Sequence, residues 1–256
     1  VGLITRRSHV RVVSSQPTER ITNVVLFFMW FTFSRFLIMN ELNTIFKYFI
    51  PLIMAKILKI YPENPQENLI NEAVKVLQNG GVIIYPSDTI YTIGCDIYNH
   101  KAMERLAQIK GIKLDKQKFS IICNDLSHLS EFTKPIETAT FRFLKAHLPG
   151  PFTFILEANR NLPTSYEGHK TVGIRVPDHI VPQMIVEKLG HPIVSTSIHA
   201  DDEILEYSTD PELIAEKYEK LVDLVIDSGY GDNKASTIVD LTSGEPEILR
   251  QGKGIL

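Results

Sequence analysis

The chain has 256 residues, 44% hydrophobic and 22% charged, the composition of a folded globular protein and not of a disordered or collagen-like one. That length holds one sizeable core or two very small ones. A net charge of −3 argues against a non-specific nucleic-acid or membrane-surface binder, though a basic cleft can sit inside an acidic whole, and two cysteines far apart in sequence, Cys95 and Cys123, suggest neither a disulfide framework nor a structural zinc site.

Residues 24–39, VVLFFMWFTFSRFLIM, are almost all apolar or aromatic but are broken by Ser34 and Arg35. They fall short of the roughly 20 residues that a membrane span needs. A long polar stretch with Arg6, Arg7, Arg11 and Arg20 precedes them and no small-residue cleavage site follows, which makes a poor signal peptide. The reading favoured over a membrane anchor takes residues 1–53 as an N-terminal extension, disordered or from a misassigned start, and 54–256 as a single domain beginning at Met54.

In that domain NLINEAVKVLQNGG puts Leu69, Ile70, Ala73, Val74 and Leu77 on one helical face and stops at Gly80, a C′ residue. GVIIYP predicts a short strand closed by Pro86. A polar loop then leads to CDIYNHKAMERLAQIK, an amphipathic helix with Asn99 as its N-cap. FSIIC at 119–123 predicts a buried strand, TATFRFLKAHL a helix ended by Pro149, and FTFILEA from Phe152 another strand. GIRVP (strand), HIVPQMIVEKLG (helix), PIVSTS (strand), ELIAEKYEKL (helix, opened by Asp210 and Pro211) and the strands in LVIDSG, ASTIVDL and PEILR complete the series. Interleaved strands and helices without a repeat or linker predict one α/β (α+β) domain on a mixed sheet.

No GxxxxGK[ST] loop, GxGxxG turn, HExxH or GxSxG elbow occurs. Polar clusters instead follow predicted strands: Tyr85-Pro86-Ser87-Asp88-Thr89, Thr153 after Pro-Gly-Pro, Arg175 in GIRVP, and Ser195-Thr196-Ser197. Strand ends are where α/β proteins gather ligand groups. Each cluster alone has a structural explanation: turn or cap residues at 87–89, a cation at a helix C-terminus for Lys110, the polar face of a sheet for Ser195 and Ser197. Arg175 is harder to dismiss, because a buried guanidinium needs a carboxylate or phosphate and its apolar flanks supply none.

Taken in order, these clusters resemble the YrdC/YciO family over about residues 57–256. GGVIIYPSDTIYTIGCD is similar to the family's opening strand and substrate loop, AMERLAQIKGIK to its lysine-bearing helix end and LPGPFTFIL to its PGP-x-T turn. TVGIRVPDH, PIVSTS, STIVDL and ILRQG follow in the family's order, and YPENPQENLINEAV is most similar to the YciO branch. The resemblance implies a twisted mixed sheet with flanking helices around a large concave cationic site, the YrdC-like (DHBP synthase-like RibB) fold. It implies formation of threonylcarbamoyl-AMP and pyrophosphate from L-threonine, bicarbonate and ATP with Mg²⁺, toward threonylcarbamoyladenosine in tRNA, in the cytoplasm. By the same resemblance Lys110 is the catalytic triphosphate contact and Thr89 and Thr153 hold threonine. Lys113, Arg175, Ser195, Ser197, Ser236, Thr237 and Arg250, together with Lys110, bind ATP.

Two departures bear on activity. The family's Lys-x-Arg pair is here Lys110 and Ile112, with Lys113 one place on, and its Ser-x-Asn is Ser195-Thr196-Ser197, which replaces a two-donor amide by a hydroxyl. Ile112 is expected on the same side as Lys110 of an extended segment. The departures favour an alternative, a YciO-like nucleotide- or double-stranded-RNA-binding protein, or a tRNA binder, with weak or no synthase activity. No membrane partner is expected for 54–256.

Overall fold

The computed structural model describes residues 55–198 and 209–256, so the expectations for residues 1–53 lie outside the described residues. The elements are β1 (Lys56–Lys59), α1 (Glu67–Gln78), β2 (Val82–Tyr85), β3 (Thr92–Asp96), α2 (His100–Ile109), β4 (Ser120–Ile122), α3 (Leu129–Phe132), α4 (Thr138–His147), β5 (Phe152–Glu157), β6 (Thr171–Arg175), α5 (Ile180–Leu189), β7 (Ile193–Ser197), α6 (Pro211–Tyr218), β8 (Leu224–Asp227), β9 (Thr237–Asp240) and β10 (Glu247–Arg250). Short 3₁₀ turns cover Leu114–Lys116 and Thr164–Tyr166.

The strands form one mixed sheet in the order β1-β8-β2-β3-β7-β4-β6-β5-β9-β10. β1, β8 and β2 run parallel, as do β4 with β6 and β5 with β9, while β3, β7 and β10 pair antiparallel with their neighbours. Alternate residues of β2 feed opposite faces. Ile83 and Tyr85 pack with Ile70, Leu77, Ile185 and Leu189 of α1 and α5. Val82 and Ile84 join the larger core with Leu106 of α2, Leu144 of α4 and Ile214 of α6. Burial on both faces is why β2 is continuously apolar instead of alternating.

Local signals placed the helix ends correctly. Asn99 Oδ1 accepts from the Ala102 N–H at 3.0 Å and Asp210 Oδ1 from the Glu212 N–H at 2.8 Å, satisfying donors that have no intrahelical partner. α1 ends with Gly80 at φ +80°, the left-handed position of a Schellman cap.

Two strands were not predicted. β1 is an edge strand whose only buried side chain is Leu58, so KILK carries no strong apolar pattern. β3 was read as part of a polar loop because Gly94 interrupts it. That glycine is required: a Cβ there would sit 2.4 Å from the Val194 carbonyl oxygen of β7 and 3.1 Å from the Tyr85 ring. β2 and β3 therefore form an antiparallel pair, and the connection 86–91 between them carries the Ser-Asp-Thr cluster.

Candidate active site

Loop 86–91 meets the ends of β4, β5, β6, β7 and β10 around a cavity of about 120 Å³, with Thr89, Thr153, Arg175, Ser195, Ser197 and Ser236 in its wall. Lys118 and Arg250 line it too, and they also line an adjoining groove of about 620 Å³ that shares Ser120 and Thr153 with the cavity. Sequence reasoning thus names seven of the fifteen wall residues, and the sheet brings together residues spread from position 89 to position 250.

Arg175 ends β6, and its side chain is buried. Its Nη2 donates to Asp88 Oδ1 at 2.5 Å and to Thr89 Oγ1 at 2.6 Å. The second Asp88 oxygen accepts from the Asp178 N–H at 3.1 Å. This corrects the expectation that Arg175 lacks a partner: the carboxylate comes from the β2–β3 loop, 87 positions earlier in the chain, where sequence proximity gives no hint of it. Arg175 Nε and Thr92 Oγ1 are buried in the cavity wall without a hydrogen-bond partner among the described residues. Such groups are rare and mark where a ligand or water completes the set. Thr92 was not anticipated; its position opposite Ser197 on β7 is set by the unpredicted β3.

Ser195 Oγ accepts from the Tyr85 hydroxyl at 2.8 Å, and burial pushes the Tyr85 phenol up, which keeps it a donor. Thr153 Oγ1 and Ser236 Oγ lie 2.9 Å apart. Arg250 donates through Nη2 to the Ser236 carbonyl at 2.8 Å, so its head group stays at the wall that Thr153 and Ser236 build.

Three expected nucleotide contacts are placed differently. Thr237 is fully buried but donates to the Gly254 carbonyl at 2.6 Å; its neighbour Ile238 lines the cavity, and alternation along β9 turns Thr237 to the other face. Lys113 is exposed at the start of a 3₁₀ turn and is not part of the cavity wall. Lys110 is the C-cap of α2 and its Nζ donates to the Ser197 carbonyl at 2.9 Å, which brings it beside β7 but outside the wall.

The segment after Lys110 is not extended. Gly111 has φ +66°, its N–H donates to the Gln108 carbonyl, and the Ile112 N–H donates to the Ala107 carbonyl. These two bonds are a Schellman cap, so Lys110 and Ile112 do not share a side as an extended strand would require. Lys118, just before β4, is the cation that sequence reasoning missed. It lines both cavity and groove, and among the described residues it carries no ion pair or hydrogen bond.

Burial pushes both thiols up, Cys123 to about 12 and Cys95 further, so neither supplies a thiolate nucleophile. Among the described residues no group of three His, Cys, Asp or Glu side chains is arranged to hold a metal ion. What the arrangement offers is hydroxyl donors, two arginines and a lysine: a site that positions anions and polar groups without covalent participation.

The family described as telomere recombination, comprising the Sua5, YciO and YrdC proteins, matches residues 75–252. The chain belongs to the Sua5/YciO/YrdC family. Escherichia coli K12 YciO is 40% identical over 203 residues, covering 78% of this chain and 97% of YciO. The crystal structure of E. coli YciO matches with a TM-score of 0.72 over 79% of this chain and 98% of that one. A threonylcarbamoyl-AMP synthase of Coxiella burnetii RSA 493 is 31% identical over 183 residues, 71% of this chain and 96% of the synthase. The crystal structure of P. abyssi Sua5 complexed with L-threonine matches with a TM-score of 0.69 at 26% identity, over 77% of this chain and 57% of Sua5. Both the family and the twisted mixed sheet read from the sequence are borne out. No helix of the described residues is long and apolar enough to cross a membrane.

Proposed function

We propose that the chain is a threonylcarbamoyl-AMP synthase-like enzyme acting on L-threonine, bicarbonate and ATP in the cavity beside loop 86–91, toward threonylcarbamoyladenosine in tRNA in the cytoplasm. The activity is assigned to the domain 54–256. The observation that carries this reading is the convergence of hydroxyls from loop 86–91, β5 and β7 with the cations Lys118, Arg175 and Arg250 on one cavity and its groove. A relative complexed with L-threonine supports the amino acid, and relatives named as synthases support the reaction.

In this reaction the threonine amine and bicarbonate give a carbamate with loss of water. A carbamate oxygen attacks the α-phosphorus, the α–β phosphoanhydride bond breaks and pyrophosphate leaves. The protein needs no nucleophile for this. Its work is to hold the carbamate in line with the leaving group and to neutralise phosphate charge. Thr89 and the Thr153–Ser236 hydroxyl pair would orient threonine, and Lys118 and Arg250, with Ser195 and Ser197, would face the phosphates. Among the described residues no carboxylate lines the cavity, Asp88 at its edge is committed to Arg175 and the Asp178 N–H, and Asp115 and Asp240 of the adjoining groove belong to no group of three metal-ligating side chains. The residues present therefore do not form a Mg²⁺ site of their own; Mg²⁺ would arrive on the nucleotide, and no step is routed through it.

One observation favours a second reading, a nucleotide-, double-stranded-RNA- or tRNA-binding protein with weak or no turnover. Ile112 brings no cation to the end of α2, and Lys110 donates to the Ser197 carbonyl. Incubating the full chain with labelled bicarbonate, L-threonine and ATP separates the two. Labelled threonylcarbamoyl-AMP with equimolar pyrophosphate is expected. ATP binding without either product would leave the binding reading.

A further inference from the structure

The segment after β10 folds back onto β9 and the cavity loop. Thr237 Oγ1 donates to the Gly254 carbonyl and accepts from the Gly252 N–H at 2.9 Å, and Gln251 Nε2 donates to the same Gly254 carbonyl at 2.6 Å. Two glycines permit this approach. A Cβ on Gly252 would lie 2.3 Å from the Ala235 carbonyl oxygen, and one on Gly254 would lie 2.5 Å from the Phe152 ring.

Between these glycines stands Lys253. Its N–H donates to the Ala235 carbonyl at 2.8 Å. Its Nζ donates to the Asp88 carbonyl at 2.7 Å and pairs with Asp232 Oδ2 at 2.7 Å. The Asp232 N–H in turn donates to the Thr89 carbonyl at 3.3 Å. Both backbone carbonyls of Asp88-Thr89 are thus held by Lys253 and Asp232, while Arg175 holds the two side chains. The Lys253 contact also keeps the Asp232 carboxyl below the usual carboxylate range. Lys253 is not part of the cavity wall; its backbone meets the wall residue Ala235, and its side chain acts on the site through Asp88 and Asp232.

We infer that Lys253 is a positioning residue: with Asp232 it clamps the backbone of loop 86–91 and thereby sets the affinity of the cavity for a small amino acid held at Thr89. The affinity half of this inference rests on the threonine reading above. The clamp itself does not.

The test uses the full chain with Lys253→Met, and Lys253→Arg as the conservative variant. Amide hydrogen exchange of the peptide spanning 86–92 is followed beside calorimetric titrations with L-threonine and with ATP. In Lys253→Met the loop exchanges faster while β5 and β6 do not. L-Threonine affinity falls about three- to tenfold, the factor of one partly exposed charge-assisted contact, with ATP affinity unchanged. Lys253→Arg recovers most of both effects, because it keeps a donor and a charge. Unchanged loop exchange overturns the clamp, whatever the parent binds. So does failure of the arginine variant to recover loop protection, whereas an equal fall in ATP affinity overturns the affinity half. Faster loop exchange in a chain whose parent binds no threonine overturns the threonine reading and leaves the clamp standing.

Discussion

Arg175 and Asp88 form an ion pair at 2.5 Å with side chains only 7% and 8% exposed, and it joins the end of β6 to the loop between β2 and β3. Such a pair adds little net stability over an apolar replacement, because desolvating two charges offsets their attraction. Breaking it is another matter, since the surviving charge is left buried and alone.

Arg175→Met is accordingly expected to lower stability by about 3–5 kcal/mol, measured by urea denaturation, because it strands Asp88. The double variant Arg175→Met, Asp88→Leu should recover most of that loss and still bind threonine poorly, since loop 86–91 has lost its anchor. A single variant as stable as the parent but weakened for ATP would return Arg175 to a direct ligand role.

The alternation of strands and helices, the caps and about half of the cavity wall were legible because they rest on local chemistry. Asn99, Asp210 and Gly80 act within a few residues of themselves, and the hydroxyls of 87–89, 195 and 197 stand next to apolar strands that are easy to recognise. The misses share a different cause. Asp88 with Arg175, Lys253 with Asp88, and Thr237 with Gly254 are made by β-pairing and by a returning C-terminal segment, none of which leaves a mark on nearby sequence. Gly94 hid β3 because the close approach that demands a glycine also removes the side chain that would signal a strand. The turn after Lys110 was misread because the Lys-x-Ile spacing was taken as extended, although Gly111 after α2 is the same left-handed C′ signal as Gly80 after α1.

Lys118 should matter more for nucleotide than Lys113 or a restored arginine at 112. Lys118→Met is expected to weaken ATP binding about tenfold, as loss of a charge-assisted phosphate contact does, and Lys113→Met about twofold or less. Ile112→Arg should change ATP affinity less than Lys118→Met, because the Schellman turn keeps position 112 off the side that Lys110 takes. Calorimetric titration of the four proteins checks the order. Equal losses for Lys118→Met and Lys113→Met would show that the groove is not where the phosphates lie.

His179 makes the fold sensitive to mild acid. Burial holds its imidazole below the usual 6.5, against a smaller opposing pull from Asp88, Asp178 and Glu63, and its neutral Nδ1 accepts the Val181 N–H at 3.3 Å to cap α5. The unfolded chain takes up this proton first, so stability is full above the ordinary histidine range and declines as pH falls through and below that range. His179→Asn keeps a cap acceptor without the titration. Thermal melts should show the decline in the parent and a smaller one in the variant. Identical pH profiles would contradict this assignment.

The most direct measurement is a calorimetric titration of L-threonine into the full chain, set beside L-serine and beside Thr153→Val. Thr153 shares a buried hydroxyl pair with Ser236 at 2.9 Å in the cavity wall. If the amino acid sits against that pair, the parent binds L-threonine more tightly than L-serine, and Thr153→Val loses about tenfold while keeping its ATP affinity, as removal of one hydrogen-bonding partner from a buried polar pair should do. A parent that binds no threonine, or a Thr153→Val chain that binds it as well as the parent, would contradict the account.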